Sequence, residues 1–344
     1  MVSCHTRPAN VSLAVGAGMM SLLVPFAVAP AADVSALQSP ALQRVADIPL
    51  GGKPTRMDYM SLDPVRHLLF IAHLGDSAVI VFDTSNQRVV ARIEGIAKVH
   101  GVLAIPQLGK VYASATGSNE VVAIDEQSLT ISARIPAGDY PDGIAYAPPV
   151  RKIYVSDEHG GTETVIAVDS DTRVATIALG GEVGNTQYDS FSGHVFANVQ
   201  TRAQLAEIDP ASDRVIGRID LPGARGNHGL LIESGARLAF IGCEDSDKLL
   251  VLDLRSRKIT AAFPTGHAPD VLAFDPGLHR LYVASESGEL ARFAITGTSV
   301  KPDGRFTPGP NAHSVAVDPD SHRLFFPLAN VGDHTLLRIM QGGP

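Results

Sequence analysis

The chain has 344 residues, 45% of them hydrophobic and 19% charged, with a formal net charge of −8. That apolar share is enough for a large core, and the acidic balance excludes nucleic acid and anionic membrane as general partners, because binding phosphate needs concentrated positive charge. There are two cysteines, Cys4 and Cys243, and the first lies in the leader described next, so the remainder of the chain has no intrachain disulfide.

Arg7 is followed by an apolar stretch from Val11 to Ala29 and by the small residues Ala29-Pro30-Ala31-Ala32. The pattern predicts a secretory signal peptide over 1–32, cut near Ala31 or Ala32. Gly16, Gly18 and Pro25 interrupt the stretch, which argues against a retained anchor. No later stretch approaches the roughly 18 apolar residues that a spanning helix needs. Export without disulfides suits a bacterial periplasm or secretion, with no membrane contact once the leader is removed. Residues 33–42 read as a short Ser/Pro-containing linker.

An isolated strand, RVADIPL (Arg44 to Leu50), comes next, and seven repeats follow it. The second strand of each repeat is apolar, as in LLFIAH (Leu68 to His73), KVYASA (Lys110 to Ala115), KIYVSD (Lys152 to Asp157) and RLYVAS (Arg280 to Ser285). Third strands such as AVIVFD (Ala78 to Asp83) and TVIAVD (Thr164 to Asp169) end on an Asp. An Asp there can accept from the backbone two residues on, so these are turn formers and not ligands. Fourth strands such as RVVARI (Arg88 to Ile93) and RVIGRI (Arg214 to Ile219) close six repeats, but the seventh stops at its third strand, HTLLRI (His334 to Ile339). The orphan strand at Arg44 is of the missing type. The predicted fold class is therefore all-β: a seven-bladed β-propeller of four-stranded blades over 43–341, closed by the N-terminal strand completing the last blade. A linear solenoid would leave the complementary end fragments without a reason. The absence of Trp separates the chain from WD40 propellers.

The segments IYVSD at Ile153, LYVAS at Leu281 and VYASA at Val111 resemble the Tyr-Val-Thr-Asn signature of YVTN-family β-propeller repeat proteins. The resemblance extends over Val45 to Ile339, although no repeat carries all four letters. It implies a seven-bladed fold and, often, an exported bacterial protein. It implies no single activity, since the family includes lactonase-like proteins, surface-layer proteins and propeller subunits of periplasmic dehydrogenases.

Aligning the repeats places Asp58, His100, Asp142, Gln187, His228, Asp270 and His313 at one position, at intervals of 42, 42, 45, 41, 42 and 43 residues. In a propeller this position opens the innermost strand, so seven side chains should meet at one mouth of the channel. Three imidazoles and three carboxylates in such a ring are the usual donors for a divalent metal cation with an open position. The expected ligands are His100, His228, His313, Asp142 and Asp270. Asp58, with His100, His228 and His313, forms the candidate catalytic set. Arg56, Asn185, Gln187, Arg225 and Asn227 flank the ring and are expected to hold a substrate. Arg56, Lys98 and Arg225 could also neutralise the ring without metal.

Past the second strands lie His73, Glu158, Glu244 and Glu286, further flanking candidates. Asp157-Glu158-His159-Gly160-Gly161 reads as a solvated turn in preference to a calcium loop. His67, His194, His279 and His322 read as turn residues, and Cys243 as a small buried group. No Gly-x-Ser-x-Gly elbow, Cys-x-x-Cys-His or P-loop is present. Two functions fit: metal-assisted hydrolysis or elimination of a small molecule, with lactone opening as the leading case, or non-catalytic binding of a small ligand or a periplasmic protein partner.

Overall fold

In the computed structural model, which describes residues 41–342, the alternating and apolar runs become 28 strands, β1 to β28 in chain order. The predicted signal peptide and nearly all of the predicted linker lie outside the described residues. The strands form seven antiparallel four-stranded sheets, six of them built from four consecutive strands. The seventh has the order β1-β28-β27-β26, so β1 (Gln43–Pro49) pairs with β28 (His334–Gln341), as the orphan strand requires. The fold is thus the seven-bladed ring expected from the repeats.

Strand position within a blade explains the two kinds of sequence pattern. Second and third strands such as β3 (Leu68–His73) and β4 (Ala78–Asp83) are buried along nearly their whole length, because both faces of the sheet pack on neighbouring blades. Their sequences are continuous apolar runs for that reason. Fourth strands such as β9 (Thr130–Pro136) and β17 (Arg214–Asp220) lie on the rim and alternate exposed with partly buried residues. The core is divided into seven clusters, one per gap between blades. Phe70, Val81, Val111 and Val122 fill the gap between the first and second blades, and Leu50, Leu69, Phe325 and Leu337 fill the gap at the closure.

In two of the three YVTN-like segments the tyrosine acts between blades. Tyr112 is fully buried, yet its hydroxyl donates to Asp171 of the next blade at 2.5 Å, and Lys110 reaches the same carboxylate at 2.7 Å. Tyr154 and Lys152 repeat the clamp on Asp213 at 2.6 and 2.7 Å. Burying the ring while satisfying its hydroxyl is what makes Tyr suitable at this position. Asp83 behaves as the expected turn former, accepting from the backbone N–H groups of Ser85 and Asn86 at 2.9 Å, whereas Asp169 accepts from the Arg151 side chain at 2.9 and 3.0 Å. His67, His279 and His322 occupy left-handed turn positions, and Cys243 is buried.

One core position breaks the pattern. On β12 (Thr162–Ala167), Glu163 takes the place held by Val79, Val121, Leu205, Leu249 and Leu290 in other blades. It is fully buried, and neither carboxylate oxygen has a partner. Burial first, and then the nearby Asp157, push its pKa well above the usual range. A carboxyl group whose folded pKa is raised contributes most below its unfolded pKa, and that contribution is lost as pH rises through the folded value. Glu163→Gln, which mimics the protonated form, should therefore match the wild type in a thermal melt at pH 4. It should melt higher at pH 8, by at least about 2 °C, the shift that ~1 kcal/mol produces in a domain of this size. Equal shifts at both pH values would show that charge at Glu163 plays no part.

Candidate functional site: an acidic channel mouth

The innermost strands open the channel at one end. β6 (Val99–Ile105), β10 (Pro141–Ala147), β18 (Asn227–Glu233) and β22 (Pro269–Asp275) carry His100, Asp142, His228 and Asp270 as their second residues. Asp58 and His313 stand just ahead of β2 (Met60–Asp63) and β26 (Ala316–Asp318). The strands converge so closely that a Cβ on Gly101, directly after His100, would overlap the Asp142 carbonyl oxygen.

The fourth blade corrects the expected ring. On β14 (Val183–Asp189), Val183 pairs with Val199 as Val99 pairs with Ala115 and Pro141 with Asp157. The equivalent residue is therefore Gly184, three residues before Gln187. A Cβ at Gly184 would lie 2.7–2.9 Å from backbone atoms of Asn227 and His228, so no side chain fits. Gln187 lines the channel lower down, with Ser61, Leu103 and Phe274. Gly184 keeps the regular 42-residue interval from Asp142, and the loop ahead of β18, residues 221–226, is two residues longer than its counterpart 137–140, which sets His228 44 residues further on.

The other ring residues come together. A cavity of about 200 Å³ is lined by Asp58, His100, Asp142, His228 and Asp270, by Arg56, Tyr59 and Tyr140, and by Glu158, Glu244 and Glu286. The three glutamates are each the first residue after a second strand, and the fold turns them inward. Asp157 does not join them: its carboxylate accepts from Gly138 N–H at 2.9 Å and from the hydroxyls of Thr162 and Thr164 at 2.7 and 2.9 Å. His159 stacks on Tyr140 with ring centroids 4.2 Å apart. The 157–161 segment is therefore more than a solvated turn.

Arg56 is the one Lys or Arg lining this cavity. Its Nη1 lies 2.7 Å from Glu286, its Nε 3.1 Å from Asp58 and its Nη2 3.8 Å from Asp270. His228 Nε2 lies 3.1 Å from the Tyr59 hydroxyl, 3.5 Å from Asp142 and 3.9 Å from Asp270. Its Nδ1 is 3.2 Å from Gln200, whose amide donates to Glu158 at 3.1 Å. His100 Nε2 lies 3.2 Å from the Tyr140 hydroxyl. Burial raises Asp142 to about 7, only partly offset by His228 and His100. Burial, and then Asp58, hold Asp270 well above the carboxylate range. For His228 burial opposes the charge, but Glu244, Asp142 and Asp270 outweigh it and lift the imidazole to about 9. Burial likewise raises Glu244, whereas for Glu286 the charges of His313 and Arg56 outweigh burial and lower it. These directions describe a cluster short of positive charge.

The donors fit a cation. Donor atoms of Asp58, Asp270 and His313 lie within 4.8 Å of one another, and so do those of His228, Glu244 and Asp270. His313 is buried, its Nδ1 lies 3.1 Å from the Asn311 carbonyl oxygen, and its Nε2 has no partner. A carbonyl can only accept, so Nδ1 carries a proton, and in the neutral ring Nε2 presents a lone pair. His100 and Asp142, expected as ligands, fall outside both groups, and Glu244 joins them.

The expected substrate contacts divide. Arg56 faces the cavity. Asn185 lies behind it, donating to the Tyr59 hydroxyl at 2.9 Å. Asn227 is fully buried, its amide donating to Asn198 and to the Gln204 carbonyl at 3.1 Å, so it holds two blades together. Arg225 is exposed and donates to the Asp245 carbonyl at 2.9 Å, away from the cavity. Tyr59 and Tyr140 were not anticipated, though each lies within two residues of a ring position.

Fold and site define a seven-bladed β-propeller with an acidic channel mouth. No family model matches the chain, and no curated protein matches it. Among solved structures it is similar to the Kuenenia stuttgartiensis hydrazine synthase at 16% identity, with a TM-score of 0.73 over 84% of this chain and 96% of that chain. At that identity the likeness bears on the propeller fold alone. The YVTN likeness rests on the strand sequences.

Proposed function

We propose that the channel mouth binds a divalent metal cation and uses it to hydrolyse, or open by elimination, a small carbonyl substrate such as a lactone. The observation that carries this reading is the buried, unpartnered Nε2 of His313 beside the carboxylates of Asp58 and Asp270. A cation bound there would polarise a carbonyl oxygen and acidify a water. Asp142 has an unpartnered oxygen, lies outside both donor groups, and has a pKa of about 7. It is suited to take or give the proton, because transfer is most efficient near the working pH. Arg56 is placed to orient an anionic group of the substrate. The predicted leader supports a periplasmic or secreted location.

A second reading, suggested by the same surplus of carboxylates, is a binding site for an organic cation without turnover. Divalent-cation titration by calorimetry, with a lactone and ester panel run beside it, separates the two. His313→Ala should weaken the cation at least about 30-fold, corresponding to loss of ~2 kcal/mol of binding, and abolish turnover. Unchanged cation affinity in the folded variant would overturn the metal reading. Tight organic-cation binding that a chelator leaves intact would favour the second.

A further inference from the structure

We propose that the channel mouth holds two divalent cations, bridged by the carboxylate of Asp270; this rests on the metal reading above and extends it. The two donor groups have the same composition, one imidazole and two carboxylates, and they share Asp270 alone: His313, Asp58 and Asp270 in one, His228, Glu244 and Asp270 in the other. The two Asp270 oxygens face different groups. Oδ1 lies 3.9 Å from His228 Nε2, whereas Oδ2 lies 3.8 Å from Arg56 Nη2, and Arg56 is in turn bonded to Asp58. A carboxylate turned both ways in this manner is suited to join two cations roughly 3.5–4 Å apart, as in two-metal sites.

Charge favours the second ion. Six carboxylates line the cavity, and Arg56 pairs with three of them, Asp58, Asp270 and Glu286. Among the described residues no Lys or Arg pairs with Asp142, Glu158 or Glu244. One cation at His313 would leave Asp142, Glu158 and Glu244 with no positive partner but the His228 imidazole. One cation at His228 would leave the buried lone pair of His313 unused, at the cost of an unsatisfied polar atom. Two dications with Arg56 nearly balance the cluster.

The test uses the protein without its leader, stripped with chelator and loaded with Mn²⁺. Bound Mn²⁺ is counted by elemental analysis after gel filtration in 0.15 M salt, and the spectrum is recorded by electron paramagnetic resonance. The wild type should retain two equivalents with an exchange-coupled signal. His313→Gln and His228→Gln should each retain one, with an uncoupled six-line signal, and the double variant none. Asp270→Asn should lose both or hold them at least about tenfold more weakly. A single equivalent in the wild type, lost in only one of the two His variants, overturns the bridged pair while the one-metal reading stands. No retained Mn²⁺ overturns both. Two equivalents that survive both His substitutions, or that give no coupling, overturn the shared-carboxylate geometry. If Asp270→Asn does not fold, the single and double His variants still decide.

Discussion

A chain lacking residues 43–49 is expected to lose its cooperative thermal transition. Removing β1 uncovers the whole edge of β28, six of whose residues pair with it. It also removes a two-pronged ion pair, because Arg338 donates to both oxygens of Asp47 at 2.7 and 2.6 Å. Ile48 and Ala46 leave the cluster that joins the last blade to the first, where they pack beside Leu337, Ile339 and Leu69. Fully burying an aliphatic side chain is worth roughly 1.5–3 kcal/mol; Ile48 and Ala46 are only partly buried and give less, and the lost β1–β28 ladder, at about 1 kcal/mol per hydrogen bond, and the ion pair add to that. The sum approaches the ~5–15 kcal/mol that separates a folded domain from its unfolded chain. The exposed strand edge would also invite association. Calorimetry and size-exclusion chromatography check this, and a peptide spanning residues 41–52 added in trans should restore part of the transition. A deletion variant that melts like the wild type would mean that closure contributes little.

The closure was legible because it depends on complementary fragments at the two ends of the repeat array, which sequence shows directly. The strands were legible because blade packing buries the second and third strands on both faces, so Leu68–His73 or Ala78–Asp83 has to be apolar up to its last residue. Six of the seven ring positions followed from the interval alone. The seventh was missed although Gly184 stands at the same 42-residue interval from Asp142: close contact with the His228 backbone permits only a glycine, and a search for a polar side chain passes over it. The glutamates were legible only as flanking candidates. Glu158, Glu244 and Glu286 sit one residue past a strand, where most polar residues face water. Only the curvature of the ring brings them over the mouth. Asn227 misled for the opposite reason: it lies next to His228, but strand alternation turns it into the blade, onto Asn198.

Arg56→Gln should weaken the cation-free protein and tighten its hold on a divalent cation. Arg56 touches Asp58, Asp270 and Glu286, so its loss leaves three carboxylates facing one another without a fixed positive charge. Breaking a buried pair from one side costs roughly 3–5 kcal/mol. The Arg56 side chain is 40% exposed, and solvent screening reduces the expected loss to about 2 kcal/mol. The pH dependence has a definite sign. Glu286 is held below its usual pKa by His313 and Arg56 despite burial. A depressed carboxyl group contributes above its unfolded pKa and ceases to as pH falls through the folded value. The deficit should therefore be largest near pH 8 and fade toward pH 4. A bound dication would replace the missing charge, so by linkage Mn²⁺ should raise the melting temperature of Arg56→Gln by more than it raises that of the wild type. If Mn²⁺ gives the variant no greater rise, Arg56 is itself the cation around which Asp58 and Asp270 are arranged, and those two carboxylates do not serve a metal.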